Sequence, residues 1–260
     1  MKETESLKLL LKELKLKAIA ESFEELSGKA QKDRFSHEQF LHDLCQIEIA
    51  DRRNKKIARL LQASKLPMDK TFATFDLNRI PNVSKALIGA LSKGDFIERK
   101  ENLLVFGSTG AGKSHLSCAI GHELVNEVYS VLYMDTCEIV QKLLAAKKDY
   151  SLPEEFKKLD KIRCIILDDI GYVKQSREEM DVLFNLLARR YERSSVVITT
   201  NLAFSKWDQI FQDPMTTAAA VDRLVHHSTI MELNVDSYRM QEAKKRVQKE
   251  RGKAKNENLA

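Results

Sequence analysis

Residues 107–114 read GSTGAGKS, and this stretch decides the fold. The spacing Gly-x-x-x-x-Gly-Lys-Ser is that of a phosphate-binding loop, in which glycines let successive backbone N–H groups turn toward phosphate oxygens. In such a loop the lysine, here expected to face solvent, reaches the β- and γ-phosphates, and the serine hydroxyl binds Mg²⁺. The pattern predicts ATP and Mg²⁺ as cofactors. The predicted binding residues are Gly107, Ser108, Thr109, Gly110, Ala111, Gly112, Lys113 and Ser114.

Short apolar segments alternate with helical patterns on both sides of this loop. Such alternation is typical of βαβ units, so the chain is expected to form an α/β fold with a three-layer parallel sheet. The first segment enters the loop and a helical pattern follows it, which is the context that a phosphate-binding loop requires. The predicted strands are residues 103–106, 130–134, 163–167, 195–200 and 229–233.

The chain before this core reads as a helical module. Residues 4–27 have an amphipathic helical pattern, for which Gly28 is a plausible C-cap. Ser36 and Gln39 form a capping-box signature that opens a second helix to about residue 61, before Pro67. We therefore predict four parts of the chain. They are a helical module for DNA or partner binding and assembly (1–66), a connector (67–82), an ATPase core (83–236), and a short C-terminal helix with a basic tail (237–260).

Two carboxylates follow the third predicted strand, in the stretch Cys164-Ile-Ile-Leu-Asp-Asp169. Behind a phosphate-binding loop, this is the Walker B pattern. Asp168 is then a ligand in the Mg²⁺ shell, with Ser114, and Asp169 is a general base or water-orienting group. The alternative is a solvated strand end without a chemical role.

Three further polar residues are candidates for the catalytic set. Asn201 ends the fourth predicted strand, where it can orient the attacking water or sense the γ-phosphate; the alternative is a helix cap. Arg223 and Arg239 follow it in the chain. Their order after the fourth strand resembles the arginine-finger helix and the second sensor of the AAA+ class, which would make them those two residues. The alternative is surface arginines paired with a neighbouring aspartate.

Composition and charge limit the possible partners. The chain has 260 residues, 43 Lys and Arg against 38 Asp and Glu, and a net charge of +5, which permits a polyanionic partner. No apolar run is long enough to span a membrane, no secretion signal is visible, and the four cysteines form no CxxC pair. We expect a cytoplasmic protein without a membrane partner.

Clustered cations suggest two surfaces that bind double-stranded DNA. No base-reading module is visible in the sequence, so we expect this binding to have no sequence preference. The first is on a predicted helix and consists of Arg52, Arg53, Lys55, Lys56 and Arg59. The second is Lys147 with Lys148, in a neighbourhood that faces the inner surface of the assembly in the initiator-type AAA+ proteins that this sequence resembles. A solvated helix face is the alternative for the first cluster.

Five stretches together resemble the IstB-like ATPases, the helper proteins of one group of bacterial insertion sequences. The stretches are GSTGAGKSHL, IILDDIG, VITTN, AAAVDRLVHHS and DSYR. The family is similar to the DnaC-type helicase loaders, within the initiator branch of AAA+ proteins. The resemblance implies a DNA-stimulated, Mg²⁺-dependent ATPase that assembles into an oligomer, binds and deforms DNA, and recruits and stimulates the transposase encoded alongside it, an IstA-like protein.

Three features depart from the AAA+ pattern. Asp169 replaces the usual glutamate, so hydrolysis is expected to be slow. Ala219 stands where the loaders have a further arginine, which leaves Arg223 as the finger candidate of this segment, with Arg189, Arg190 and Arg193 as alternatives. The sequence after residue 236 is long enough only for a truncated lid. A helicase loader and an ATP-binding switch with negligible hydrolysis therefore remain alternative functions.

Overall fold

The structure is a computed structural model that describes residues 2–171, 176–207, 210 and 214–235. It divides the chain into two compact units, Met1–Arg59 and Leu60–Ala260. The predicted lid and basic tail, including Arg239, lie outside the described residues.

The first unit is helical, with helices α1 (Lys2–Glu13), α2 (Lys17–Asp33) and the start of α3 (His37–Ser64). The prediction of one helix over residues 4–27 is wrong, because Lys15 adopts a left-handed conformation (φ 58°) and the N–H of Leu16 bonds to the carbonyl of Leu11. Gly28 is not a C-cap, since α2 runs on to a left-handed residue at Arg34. Ser36 does cap α3 through the N–H of Gln39 (3.2 Å).

A buried carboxylate ties α2 to α3. Glu48 accepts hydrogen bonds from the otherwise unbonded N–H groups of Ala18 (2.9 Å) and Ile19 (3.3 Å), and its other oxygen accepts from Arg52 (2.8 Å). Burial alone would raise the pKa of Glu48, but the hydrogen bonds from Arg52, Ile19 and Ala18 lower it below its ordinary value. Glu48 therefore stabilises this unit as an anion.

In the described residues, the second unit contains a five-stranded parallel sheet. Its strands are β1 (Asn102–Gly107), β2 (Val131–Asp135), β3 (Cys164–Asp168), β4 (Ser195–Thr200) and β5 (Ser228–Leu233). They lie in the order β2-β3-β4-β1-β5. All five strands lie where the sequence predicts them, and the described residues before β1 contain no strand. Because the strands are parallel, their carboxyl ends meet at one edge of the sheet.

Helices flank this sheet and complete the layers of an α/β fold. Strand β3 is fully buried, as expected for a central strand with both faces covered. No helix in the described part of the chain is long and apolar enough to cross a membrane. The helices are α4 (Lys85–Lys93), α5 (Asp95–Glu98), α6 (Lys113–Asn126), α7 (Thr136–Lys148), α8 (Leu152–Asp160), α9 (Arg177–Arg190) and α10 (Pro214–Val225).

Candidate nucleotide-binding and catalytic site

A cleft of about 370 Å³ opens at the carboxyl edge of the sheet. One wall is the phosphate-binding loop, and another is formed by Asp169 after β3 and Thr199 in β4. The remaining wall belongs to the connector. The lining residues from these three parts are Thr109 to His115, Asp169, Thr199, Lys70, Thr74, Phe75, Asp76, Arg79 and Ile80.

The glycines of the loop are required by close packing. A Cβ atom on Gly107 would lie 2.8 Å from the carbonyl oxygen of Leu233, and one on Gly112 would lie 3.1 Å from the ring of Phe75. Gly110 (φ 83°) and Gly112 (φ 97°) also adopt left-handed conformations that favour glycine. Gly112 directly precedes α6, so the positive end of that helix faces the cleft.

Lys113 is buried, so the expectation of a solvent-facing side chain is wrong. Its ammonium group donates to the carbonyl oxygens of Gly107 (2.9 Å) and Ser108 (3.1 Å) within its own loop. These bonds offset the cost of burying the charge. They also hold the ammonium group beside the loop N–H groups, where it can exchange a carbonyl partner for a phosphate oxygen.

The Asp168 carboxylate is held on both oxygens. Tyr133 donates its hydroxyl to Oδ2 (2.7 Å), and Thr199 donates to Oδ1 (2.5 Å). The same Thr199 oxygen accepts the N–H of Asp169 (2.8 Å), so one threonine positions both aspartates. Asp169 itself adopts a left-handed conformation (φ 59°), an uncommon one for a non-glycine residue at the end of a strand.

The donor set suits ATP with Mg²⁺. The Ser114 hydroxyl and the Asp168 carboxylate are hard oxygen ligands of the kind that Mg²⁺ takes, together with phosphate oxygens. The N-terminus of α6 and the buried ammonium group of Lys113 suit phosphates.

No sequence motif indicates Tyr133 or Thr199, although both contact Asp168. Burial and the hydrogen bond to Asp168 raise the pKa of Tyr133, so its phenol stays protonated and donates. In the sequence, Thr199 is one residue of the predicted strand 195–200. Both contacts follow from the pairing of β2 and β4 with β3, and a single sequence does not specify that pairing.

We expect Tyr133→Phe to raise the Mg²⁺ concentration needed for half-maximal ATPase activity by about tenfold or more. The reason is that Asp168 is the predicted Mg²⁺ ligand, and losing a group that orients a metal ligand typically costs 10–100-fold in metal affinity. A Mg²⁺ titration of turnover measures this, with Tyr191→Phe as the control. An unchanged titration would show that the Tyr133 hydroxyl is not needed to orient Asp168.

The connector is part of the site, although its sequence predicts no regular secondary structure and no functional role. His115 of α6 contacts the carbonyl of Thr71 (3.1 Å) and the hydroxyl of Thr74 (3.1 Å), and its ring packs edge-on against Phe75 at 5.1 Å. About two turns further along α6, His122 bonds to the carbonyl of Pro67 (3.0 Å). These contacts hold the connector against the loop and form the third wall of the cleft.

Asn201 lies beside the cleft and does not line it. It borders a neighbouring groove with Phe106 and Glu232, and a Cβ atom on Gly171 would lie 2.7 Å from its Oδ1 atom. The helix-cap alternative is wrong, because the following 3-10 turn begins after Ala203 and has no side-chain cap. The sensor role of Asn201 remains a prediction.

The candidate finger arginines differ in environment. Arg223 packs its guanidinium over the ring of Phe184 (5.2 Å) and is not among the residues that line the described cleft. Arg189 binds Asp160 with both Nε and Nη2. Arg190 is buried and donates to four backbone carbonyls, so it is a structural residue and not a finger. Arg193 is exposed.

Comparison with models of protein families shows to which family this chain belongs. Residues 9–246 match the model of the IstB-like ATP binding protein family. The chain belongs to this family. An insertion sequence ATP-binding protein of Sinorhizobium fredii is 41% identical over 236 residues, which cover 90% of this chain and 79% of that protein. The insertion sequence IS21 ATP-binding protein of Pseudomonas aeruginosa is 34% identical, over 92% of this chain and 90% of that protein.

Solved structures show the same fold for this IstB-like chain. The DnaC helicase loader matches with a TM-score of 0.55 and 16% identity, over 65% of this chain and 98% of that one. At this identity the match concerns the fold alone. It confirms the prediction of an AAA+ core.

In the two predicted DNA-binding surfaces of this IstB-like chain, some of the cationic side chains already bond to other groups of the chain. Arg52 is engaged by Glu48 and by the carbonyl of Lys15 (3.0 Å), and Lys55 pairs with Asp51 (2.6 Å). Lys56 is exposed. Arg53 and Arg59 lie on the same helix, and Arg59 bonds to the carbonyl of Lys55. Lys147 and Lys148 are exposed at the end of α7.

Proposed function

We propose that this IstB-like protein is an ATP-hydrolysing helper of insertion-sequence transposition. In this proposal it assembles as an oligomer on double-stranded DNA, remodels the DNA, and recruits and stimulates the partner transposase. The observation that carries the proposal is the cleft, which Lys113, Ser114 and Asp169 line in a member of this family. Asp168 is held behind its wall by the hydroxyl of Thr199. The insertion-sequence names of its relatives support the context.

The residues of the cleft then have separate tasks. The loop N–H groups and Lys113 hold the phosphates, Ser114 and Asp168 hold Mg²⁺, and Thr199 keeps Asp168 in place. When bound, Mg²⁺ neutralises charge on the transferred phosphoryl group. Asp169 orients the attacking water and accepts its proton. Asn201, Arg223 and Arg239 complete the set as sensor, finger and second sensor.

Asp169→Asn is expected to slow ATP turnover by about 100-fold while ATP and DNA binding persist. The amide keeps the size and hydrogen-bonding capacity of the carboxylate but cannot accept the proton, and a general base typically contributes 10²–10⁴ in rate. Single-turnover hydrolysis with a parallel DNA-binding titration tests this. Asp181→Asn is the control, because Asp181 is exposed on α9 and does not line the cleft. Unchanged turnover in Asp169→Asn would place the base elsewhere.

An ATP-binding switch with negligible hydrolysis is the second candidate. It is favoured by Asp169, whose carboxylate is one methylene shorter than glutamate and whose backbone conformation is uncommon. The same turnover assay separates the two, because a switch hydrolyses no more ATP than Asp169→Asn, with or without DNA. A helicase loader has the same fold, but the relatives at 34% and 41% identity carry insertion-sequence names, which favours transposition.

DNA binding should be sequence-independent and sensitive to salt. Charge reversal at Lys56 and Arg59 is expected to weaken binding to all duplexes alike and to lower the salt slope by about 2, since each phosphate contact adds about 0.9. These residues are preferable to Arg52, whose reversal would also disturb Glu48. Fluorescence anisotropy at several salt concentrations measures the slope.

The control for this titration is a double reversal at Lys93 and Lys100, which changes the net charge equally on the other unit. A strong preference of the protein for one short sequence would contradict this part of the proposal. Capture of the transposase encoded alongside, measured with DNA-bound protein in ATP, tests the recruitment step separately.

We further propose that the four parts of the chain divide this work. Residues 1–66 provide assembly and contacts to DNA or partner, residues 67–82 connect the two parts, and residues 83–236 hydrolyse ATP. Residues 237–260, which lie outside the described residues, add basic charge.

A further inference from the structure

Tyr150 is exposed to an unusual degree for an aromatic residue. It lies between α7 and α8 with 94% of its surface accessible, the highest value among the large exposed hydrophobic residues of the described chain. Water-exposed aromatic surface contributes nothing to folding, because its stabilising effect comes from burial. Packing within the described unit therefore does not explain a tyrosine at this position.

The backbone at Tyr150 also disfavours a tyrosine. The N–H of Ser151 bonds to the carbonyl of Ala146 (2.8 Å), and the N–H of Tyr150 bonds to that of Lys147 (3.3 Å). This is the Schellman pattern of a helix end, in which the residue after the cap is left-handed and is usually glycine. Tyr150 has φ 55° there. The conformation therefore costs stability that no packing of the ring offsets.

The charges around Tyr150 favour a polyanion. Lys147 and Lys148 occupy the last turn of α7, and both are exposed. In the described residues neither side chain forms an ion pair. The neighbouring Asp149 is the opposing charge, while Glu155 is already bound by two other lysines. Two cations beside one projecting aromatic ring match the combination that proteins use against phosphates and bases.

We propose that Tyr150 is a base-stacking wedge. Its ring packs against base faces of a deformed duplex while Lys147 and Lys148 contact the flanking phosphates. This inference rests on the proposed DNA function and adds to it a residue that contacts bases. Such a wedge needs no sequence preference because every base has an aromatic face. It favours DNA that unstacks easily, since the cost of unstacking is smallest at mismatches.

The left-handed backbone makes a decisive variant available. Tyr150→Gly removes the ring and relieves the strain, so the thermal midpoint of unfolding should be unchanged or higher by up to about 4 °C. A purely structural tyrosine would give the opposite result. The matched control is Lys100→Gly, because Lys100 (φ 58°) occupies the same position in a second Schellman pattern, at the end of α5.

The test is a titration of full-length protein with fluorescein-labelled duplexes, fully paired or carrying one central mismatch, from about 50 to 200 mM salt. Tyr150→Gly and Tyr150→Ala should weaken binding roughly 5- to 100-fold and remove the preference for the mismatch, with an unchanged salt slope. Tyr150→Trp should retain both properties. A double change of Lys147 and Lys148 to Gln should lower the slope by about 2.

Three outcomes would overturn the wedge. If the wild-type protein binds no DNA, the proposed function and the wedge both fail. If it binds DNA and Tyr150→Gly binds equally well, only the wedge fails. If Tyr150→Gly keeps DNA binding but loses capture of the transposase, the ring belongs to a protein-binding surface instead.

Discussion

Lys113→Ala should abolish ATP-dependent assembly and reduce ATP turnover by about 100-fold or more. Removing one preorganised group that stabilises developing charge typically costs 10²–10³ in rate, and Lys113 also supplies the ammonium group nearest the loop. Turnover and DNA-bound particle size, each measured with and without ATP, give the result. A variant that assembles and hydrolyses ATP at the normal rate would contradict the assignment of this loop.

Burial of Lys113 makes a second variant necessary. Alanine removes the donor to the carbonyl oxygens of Gly107 and Ser108, so the loop itself can change. Lys113→Gln keeps an N–H donor but lacks the charge. If both variants fail to turn over ATP while far-UV circular dichroism is unchanged, the charge is what catalysis requires. Recovery in the glutamine variant would show that Lys113 acts by shaping the loop.

Arg223→Ala should lose most ATPase activity, by about 10³-fold, while still binding ATP. An arginine finger contributes 10³–10⁵ in rate, and Arg223 does not line the described cleft of its own chain, which is consistent with action on a neighbouring subunit. Mixing Arg223→Ala with Lys113→Ala supplies the test. Each variant alone is inactive, but in a mixed assembly an intact loop can face an intact finger, so part of the activity should return.

The contact between Arg223 and Phe184 requires a control for folding. Phe184→Leu removes the ring under the guanidinium but keeps the arginine, so its ATPase activity should be close to that of wild type. Normal hydrolysis by Arg223→Ala alone would sink the finger assignment. Arg193 would then be the better candidate, since Arg190 is buried and Arg189 is held by Asp160.

The sheet and the phosphate-binding loop could be predicted because their signals are local. Each strand is a short apolar run, as in Cys164–Asp168, and the loop has fixed spacing. The break between α1 and α2 could not, because Lys15 adopts a left-handed conformation that glycine or asparagine would usually signal. The prediction of a C-cap at Gly28 is wrong for the converse reason. Glycine usually marks a helix end, but Gly28 lies within a helix that continues past it.

Side-chain partnerships that cross the chain were also beyond the sequence. Tyr133 reaches Asp168 over 35 positions, and Arg190 reaches the carbonyl of Leu159 over 31. Each depends on strand register or helix packing, which a single sequence does not specify. The connector shows the same limit, because the contact between Phe75 and His115 depends on how α6 packs against the connector.

ATP bound in the cleft should control assembly on duplex DNA. Particle imaging of the full-length protein with a long duplex, with ATP and without nucleotide, tests it most directly. We predict ordered multi-subunit assemblies on bent DNA in ATP, and none without nucleotide or with Lys113→Ala. Single chains in every condition, or equal assembly without nucleotide, would contradict the account.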